Sequence, residues 1–178
     1  MARIVILGAG IGGMPMAYEM KALARPGDTV TVISEAPKFH FVPSNPWVAV
    51  DWRSRDDIEV DIAPALKRKG IESIIQRARR VLPDANQIEL EDGSKVDYDF
   101  LVIATGPKLA FDEIEGLGPQ GHTQSICHVS HAVTASQAWA GFVNDPGPIV
   151  VGAVQGASCF GPAYEFAMIM DLSLIHIS

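Results

Sequence analysis

Cysteine is scarce in this chain. Cys127 and Cys159 are the only two among 178 residues, too few for the disulfide framework with which small secreted domains make up for a thin core. Long apolar runs are lacking as well: no stretch reaches the roughly 18 uninterrupted residues of a membrane-spanning helix. Basic residues are in the minority, 14 Lys and Arg against 21 Asp and Glu for a net charge of -7. That balance counts against nucleic acid as a partner, because phosphate binding needs a basic face. There is no internal repeat of about 20 to 50 residues and no low-complexity tract. The opening MARIVILGAGIGG has the apolar character of a signal core. It carries one basic residue, runs into glycines and lacks a small-residue cleavage site, so it reads as a strand rather than a signal peptide. What is present, 48% apolar and 20% charged residues, is the composition of a globular core and not of a disordered segment. The length corresponds to one domain, or to one domain with part of a second.

Along the chain, RIVIL at residues 3–7 is a mostly apolar run that fits a buried parallel strand. Residues 14–24 have helix-forming composition, with Pro15 in the first turn, where a missing N–H costs little. Residues 29–33, TVTVI, form a second strand. Residues 36–54, with three prolines and several aromatics, read as a long loop. Residues 56–69 have helical spacing of Ile58, Ile62, Ala65 and Leu66, interrupted by Pro64. Residues 71–75 read as a strand and residues 79–97, turning at Asp92-Gly93, as a hairpin. Residues 98–104, YDFLVIA, form another strand, and residues 108–129 read as loop. Ser130 is a candidate cap for a helix reaching Val143. After the break at residues 144–148, residues 149–151 start a new strand, and a helix begins near Ala163. The fold class is therefore α/β, a Rossmann-like domain with a parallel sheet and a hairpin insertion, followed by the start of a second such domain.

Gly8, Gly10 and Gly13 make a G-x-G-x-x-G pattern between the first strand and the first helix. In dinucleotide sites the first glycine permits the tight turn, the second lets the backbone approach the pyrophosphate, and the third lets the helix pack closely on the strand. The helix N-terminus then offers N–H groups and partial positive charge to the phosphates. Glu35 closes the second strand about 20 residues further on, where a carboxylate can accept hydrogen bonds from the ribose hydroxyls. A structural tight turn uses the same glycines, but the strand, helix and acid together favour a dinucleotide. The pattern fits NAD and FAD equally. The strand ending in Ala104-Thr105-Gly106 resembles the FAD sites of flavoproteins with two dinucleotide-binding domains. That resemblance implies FAD and adds Ala104, Thr105 and Gly106 to the cofactor-binding set.

Five stretches together resemble the sulfide:quinone oxidoreductases: ILGAGIGGMPMAYEMK at 6–21, FVPSNPWVAV at 41–50, IATGPKLAF at 103–111, QSICHVSHA at 124–132 and GAVQGASCFGPAYEFAM at 152–168. The first and third are shared by many flavoproteins; the others are more specific. The resemblance implies oxidation of sulfide to sulfane sulfur or polysulfide, with two electrons passing through FAD to a membrane quinone. It implies that Cys127 and Cys159 are two of the three cysteines such enzymes use, the third lying in a C-terminal half beyond this chain. It also implies that Pro43 and Asn45 line the flavin, and that the parent enzyme sits peripherally on the cytoplasmic membrane through C-terminal elements. A homo-oligomer is compatible with it.

In relatives that use pyridine nucleotides, the second glycine-rich turn binds NADH pyrophosphate. Here GAVQGASC separates its glycines and places Cys159 at the start of the following helix. The helix dipole favours a thiolate there, the form that attacks a disulfide or sulfane sulfur. The turn thus reads as a phosphate site converted to a sulfur site, against the plainer reading of Cys159 as a small apolar filler. Cys127 is followed by His128 and His131, with His122 nearby, but the spacing is not the paired spacing of zinc ligands, and no metal is expected. His131 and Glu165 are candidate proton handlers, since histidine titrates near neutrality and burial raises a carboxylate toward it. Their plainer readings are a surface histidine and a dipole-stabilised glutamate.

The expected organisation is an FAD-binding domain over residues 1–146, a truncated second domain over 147–171, and a non-native tail over 172–178, where LSLIHIS departs from the family pattern. A chain so truncated is expected to be inactive by itself. The competing readings are the flavoprotein subunit of flavocytochrome c sulfide dehydrogenase, a type II NADH:quinone oxidoreductase, and a non-catalytic nucleotide-binding sensor.

Overall fold

The structure is a computed structural model that describes residues 1–157 and 160–175, and the backbone of residues 176 and 177. In chain order, β1 (Arg3–Leu7) leads into α1 (Gly13–Leu23) and β2 (Thr29–Ser34). Next come β3 (Lys38–His40), the short α2 (Asn45–Ala49), β4 (Glu59–Asp61), α3 (Ile62–Lys67) and β5 (Glu72–Ile75). Three strands follow, β6 (Ala78–Leu82), β7 (Gln87–Leu90) and β8 (Lys95–Asp97), and then β9 (Phe100–Ile103), α4 (Val129–Asn144) and α5 (Gly161–Ile177). The chain divides into two units. The first comprises residues 1–40 and 59–109, the second residues 41–58 and 110–178.

The first unit is built on a parallel four-stranded sheet in the order β5-β2-β1-β9. Alternation along β1 explains why its sequence is apolar from Ile4 to Leu7. Ile6 faces one side with Val30 and Val32, packing on Met14 and Ala17 of α1 and on Ile62, Ala65 and Leu66 of α3. Val5 and Leu7 face the other side with Ile33, against Ile88, Leu90 and Tyr98. Both faces are covered, as parallel sheets require, and each fully buried aliphatic side chain contributes about 1.5–3 kcal/mol. Strands β6, β7 and β8 form a separate antiparallel sheet. The expected hairpin is therefore a three-stranded meander. Its first turn escapes a simple hairpin reading because Pro83–Ala85 form a 3-10 turn closed by Asn86 in the left-handed region at φ 52°.

The residues read as one long loop and one helix are arranged differently. Lys38–His40 pairs antiparallel with Glu59–Asp61, so a two-stranded ribbon replaces the middle of both. Lys38 Nζ lies 3.2 Å from Glu59 Oε2, whose side chain is 3% exposed. The helix is confined to Ile62–Lys67, with Pro64 in its first turn, where it breaks no hydrogen bond.

The second unit is helical. Val48, Ala49 and Ile58 pack with Val129, Ala132 and Ala135, and Val50 and Trp139 pack with Ile169 and Met170 of α5. Ser130 is not the cap of α4. His128 takes that place, its Nδ1 accepting the Ser130 N–H at 3.3 Å. Residues 149–151 form no strand. The tail does not break the last helix, since α5 continues to Ile177.

Candidate functional site

The strand order places residues far apart in sequence at one edge of the first unit. Numbered within the sheet alone, its strands run 3-2-1-4, and the order reverses between β1 and β9. Ligands of open α/β sheets bind beyond the strand ends at such a switch point. The residues that follow these strands are the expected cofactor residues. Ala104 N–H donates to Leu7 O at 2.7 Å, and Gly8 N–H donates to Ile33 O at 2.8 Å. The ends of β1, β2 and β9 are thereby tied together, with Gly8 and Ala104-Thr105-Gly106 side by side.

The three glycines of the motif have distinct surroundings. Gly8 has φ +106°, and a Cβ there would run into the Ala104 carbonyl. A Cβ on Gly13 would run into the Gly8 carbonyl, so this glycine lets α1 sit against the turn. A Cβ on Gly10 meets nothing within 4 Å, and residues 10–12 are exposed. Two glycines thus serve the chain's own packing, and the third leaves an open stretch of backbone at the start of an 11-residue helix. A dinucleotide pyrophosphate fits such a cradle: backbone can approach it closely and the helix dipole favours its charge. Glu35, just past β2, is 70% exposed, and Arg77 Nε stands 3.7 Å from its Oε2. Nothing in the sequence signals Arg77, because the pair depends on how β6 follows β5.

In the second unit, Asn45 opens α2 and is wholly buried. Its Nδ2 donates to Ile126 O at 2.9 Å. Its Oδ1 is buried with no partner among the described residues. Cys127 is a free, exposed thiol whose backbone N–H donates to Ser125 Oγ at 3.2 Å. Pro43 is exposed within a 3-10 turn, Val42–Ser44. His131 lies in the first turn of α4, its ring 5.4 Å from Phe111 edge-on and 5.7 Å from His128. Burial, and next the nearby His128, push the His131 pKa down. Its Nδ1 is buried and unpartnered among the described residues. Glu165 is exposed on α5, away from the first turn that would favour it. Cys159 lies outside the described residues. Among the described residues, no three His, Cys, Asp or Glu side chains come together as metal ligands. Ser125 and Phe111 were not anticipated as site residues. Ser125, two positions before Cys127, is the one a local side-chain-to-backbone pattern could have flagged.

A parallel sheet with a glycine-rich turn at its switch point defines a dinucleotide-binding protein of the α/β class. More specifically, the chain belongs to the pyridine nucleotide-disulphide oxidoreductase family, whose model matches residues 2–157. It is 42% identical to a sulfide-quinone reductase of Aquifex aeolicus over 96% of this chain and 39% of that protein. It is 26% identical to the mitochondrial sulfide:quinone oxidoreductase of Dictyostelium discoideum over 95% of this chain and 38% of that protein. The chain therefore spans about two fifths of the length of these curated relatives. Among solved structures, the sulfide:quinone oxidoreductase of Aquifex aeolicus superposes with a TM-score of 0.93 at 41% identity, covering 100% of this chain and 41% of that one. The NDH2 of Plasmodium falciparum in complex with NADH shares the fold, with a TM-score of 0.63 at 23% identity over 80% of this chain and 30% of that one.

Proposed function

We propose that this chain is the FAD-holding part of a sulfide:quinone oxidoreductase. The observation that carries the reading is the likeness to a sulfide:quinone oxidoreductase across the whole chain at a TM-score of 0.93. NADH-using relatives match it far less closely.

On this reading the open backbone at Gly10 and the N-terminus of α1 receive the FAD pyrophosphate. Glu35 accepts hydrogen bonds from the ribose, Ala104, Thr105 and Gly106 border the cofactor along β9, and Pro43 and Asn45 line its ring end. Bound FAD supplies a two-electron acceptor between sulfide and a membrane quinone. The chain contributes Cys127 and Cys159 as the sulfur-carrying residues. Burial favours the neutral form of the His131 imidazole, the form that can take the proton a thiol or hydrosulfide gives up; Glu165 is the second proton carrier. Residues 1–146 are the cofactor domain, and the parent enzyme rests peripherally on the cytoplasmic membrane, where its quinone resides. No helix among the described residues is long and apolar enough to cross a membrane.

The test is an anaerobic absorbance spectrum of the full-length gene product before and after adding sulfide. Bleaching of the flavin band, lost on Cys159→Ala, is the expected result. A flavin that sulfide leaves oxidised but NADH reduces would replace this reading with an NADH dehydrogenase.

A further inference from the structure

The peptide joining Ile126 to Cys127 belongs to no helix or strand, yet a side chain holds each of its two polar groups. Its carbonyl accepts from Asn45 Nδ2 at 2.9 Å, and its N–H donates to Ser125 Oγ at 3.2 Å. The two holders differ in reach. Ser125 is local, whereas Asn45 comes from 81 residues earlier in the chain. Asn45 is wholly buried, fixed at the start of α2 and followed by the buried Pro46. Its amide has one workable orientation, because a flip would set Oδ1 against the Ile126 carbonyl oxygen. A buried amide that leaves its own Oδ1 without a partner among the described residues carries an uncompensated desolvation cost. An apolar residue at the head of α2 would avoid that cost.

We infer that Asn45 is a positioning residue for Cys127: with Ser125 it clamps the Ile126–Cys127 peptide plane and so sets the direction in which the exposed thiol points. The inference rests on the reading of Cys127 as a reacting thiol and gives Asn45 a role in addition to its proposed place beside the flavin. A peptide plane held at both its polar groups fixes the Cys127 N–Cα bond direction and leaves the thiol only rotations about that bond and about χ1. A thiol that must meet a sulfur atom in line needs that restriction; a free loop cysteine does not.

The experiment uses the 178-residue chain with Cys159→Ser, so that Cys127 is the only thiol. One NMR cross-peak, correlating the Cys127 amide with the Ile126 carbonyl carbon, reports both ends of the clamp. Asn45→Asp removes the donor and is expected to move the carbonyl coordinate upfield. Ser125→Ala is expected to move the amide proton coordinate. Val50→Ala, a cavity just past the same helix and in the cluster with Trp139, Ile169 and Met170, is expected to move neither while lowering thermal stability. In parallel, the rate of Cys127 with a bulky aromatic disulfide reagent is expected to rise about fivefold in the first two variants, the population change that one net hydrogen bond controls, and to stay near wild type in Val50→Ala. A carbonyl coordinate in Asn45→Asp no different from that in Val50→Ala overturns the inference. So do equal reagent rates in those two variants. Should Asn45→Asp not fold, Ser125→Ala with wild-type amide shift and reagent rate overturns it alone. Neither readout involves sulfide, flavin or quinone. A full-length protein whose flavin sulfide does not reduce would therefore remove the functional reading and leave this result standing.

Discussion

Gly8, Gly10 and Gly13 look alike in the sequence and are held for different reasons. Gly8 combines φ +106° with a Cβ position blocked by the Ala104 carbonyl. Alanine there meets both the left-handed penalty of about 1–2 kcal/mol and a backbone collision. We expect Gly8→Ala and Gly13→Ala each to lower stability by at least about 2 kcal/mol, read as a drop in the urea midpoint. Gly10→Ala meets open space, so its midpoint should stay within about 0.5 kcal/mol of wild type. On the proposed reading its affinity for FAD, read by flavin fluorescence quenching, should fall, because the added methyl would stand where the pyrophosphate is proposed to approach. Equal losses of stability at all three positions would mean that the turn is structural throughout. The motif announced the glycines but not this division of labour. The division depends on Ala104, which follows a strand about 90 residues away that no local pattern connects to β1. The same holds for His131. Its residue type suggested a titrating group, but the burial and the His128 neighbour that lower its pKa are properties of the packed helix.

Elements built on long apolar runs were legible. RIVIL and TVTVI became β1 and β2 because buried parallel strands need apolar residues on both faces, and the apolar core of YDFLVIA became β9 at the edge of the same sheet. The ribbon β3–β4 was not legible, since two three-residue strands make no periodicity and their partners lie some 20 residues apart. The caps were half legible. Ser130 looked like the cap of α4, but its N–H is the group being capped, by His128 Nδ1. His128→Ala should cost about 1 kcal/mol, while His128→Asn, which keeps an acceptor, should recover most of it; thermal melts of the two variants decide. A second device joins β1 to β9. Asp99, just before β9, accepts from the Arg3 backbone N–H at 2.7 Å and from the Arg3 guanidinium Nη2 at 2.9 Å. These bonds, chiefly from the Arg3 side chain and then its backbone, hold the Asp99 carboxyl down at about 2. The unfolded value is about 3.9, so the folded state favours the ionised form. Its stabilisation is complete above about pH 4 and is lost as the pH falls toward 2. Asp99→Asn should therefore narrow the gap in urea midpoint between pH 6 and pH 2.5. An unchanged gap would assign the acid sensitivity to the other hydrogen-bonded carboxylates, Asp28, Asp57 and Asp92.

At the scale of the whole molecule, the fold class could be read because two strand–turn signals bracket a glycine motif, and that is enough to specify a parallel sheet with a switch point. The second unit resisted such reading. Its three helices draw on residues 41–58 and 110–178, and the buried side of α2 is written in a proline-rich stretch that resembles a loop. What the second unit does not bury carries its own consequence. Phe160, Tyr164, Met168 and Leu172 recur every four residues, and Ile175 follows; all five are exposed. Residues four apart share one face of a helix, so α5, with Phe160 just before it, presents a continuous apolar stripe, larger than the scattered exposed leucines of an ordinary surface. In the first unit, β9 is an outer strand of the parallel sheet and exposes Phe100 and Ile103, a further site for edge pairing. Contiguous apolar surface of this kind drives association in water. The 178-residue chain should self-associate with rising concentration in sedimentation velocity. Met168→Lys with Leu172→Glu, which places two charges in the middle of the stripe, should shift it toward monomer without weakening the FAD binding proposed for the first unit. If the double variant associates as strongly as wild type while Phe100→Lys disperses it, the sheet edge and not α5 is the surface that binds a second copy.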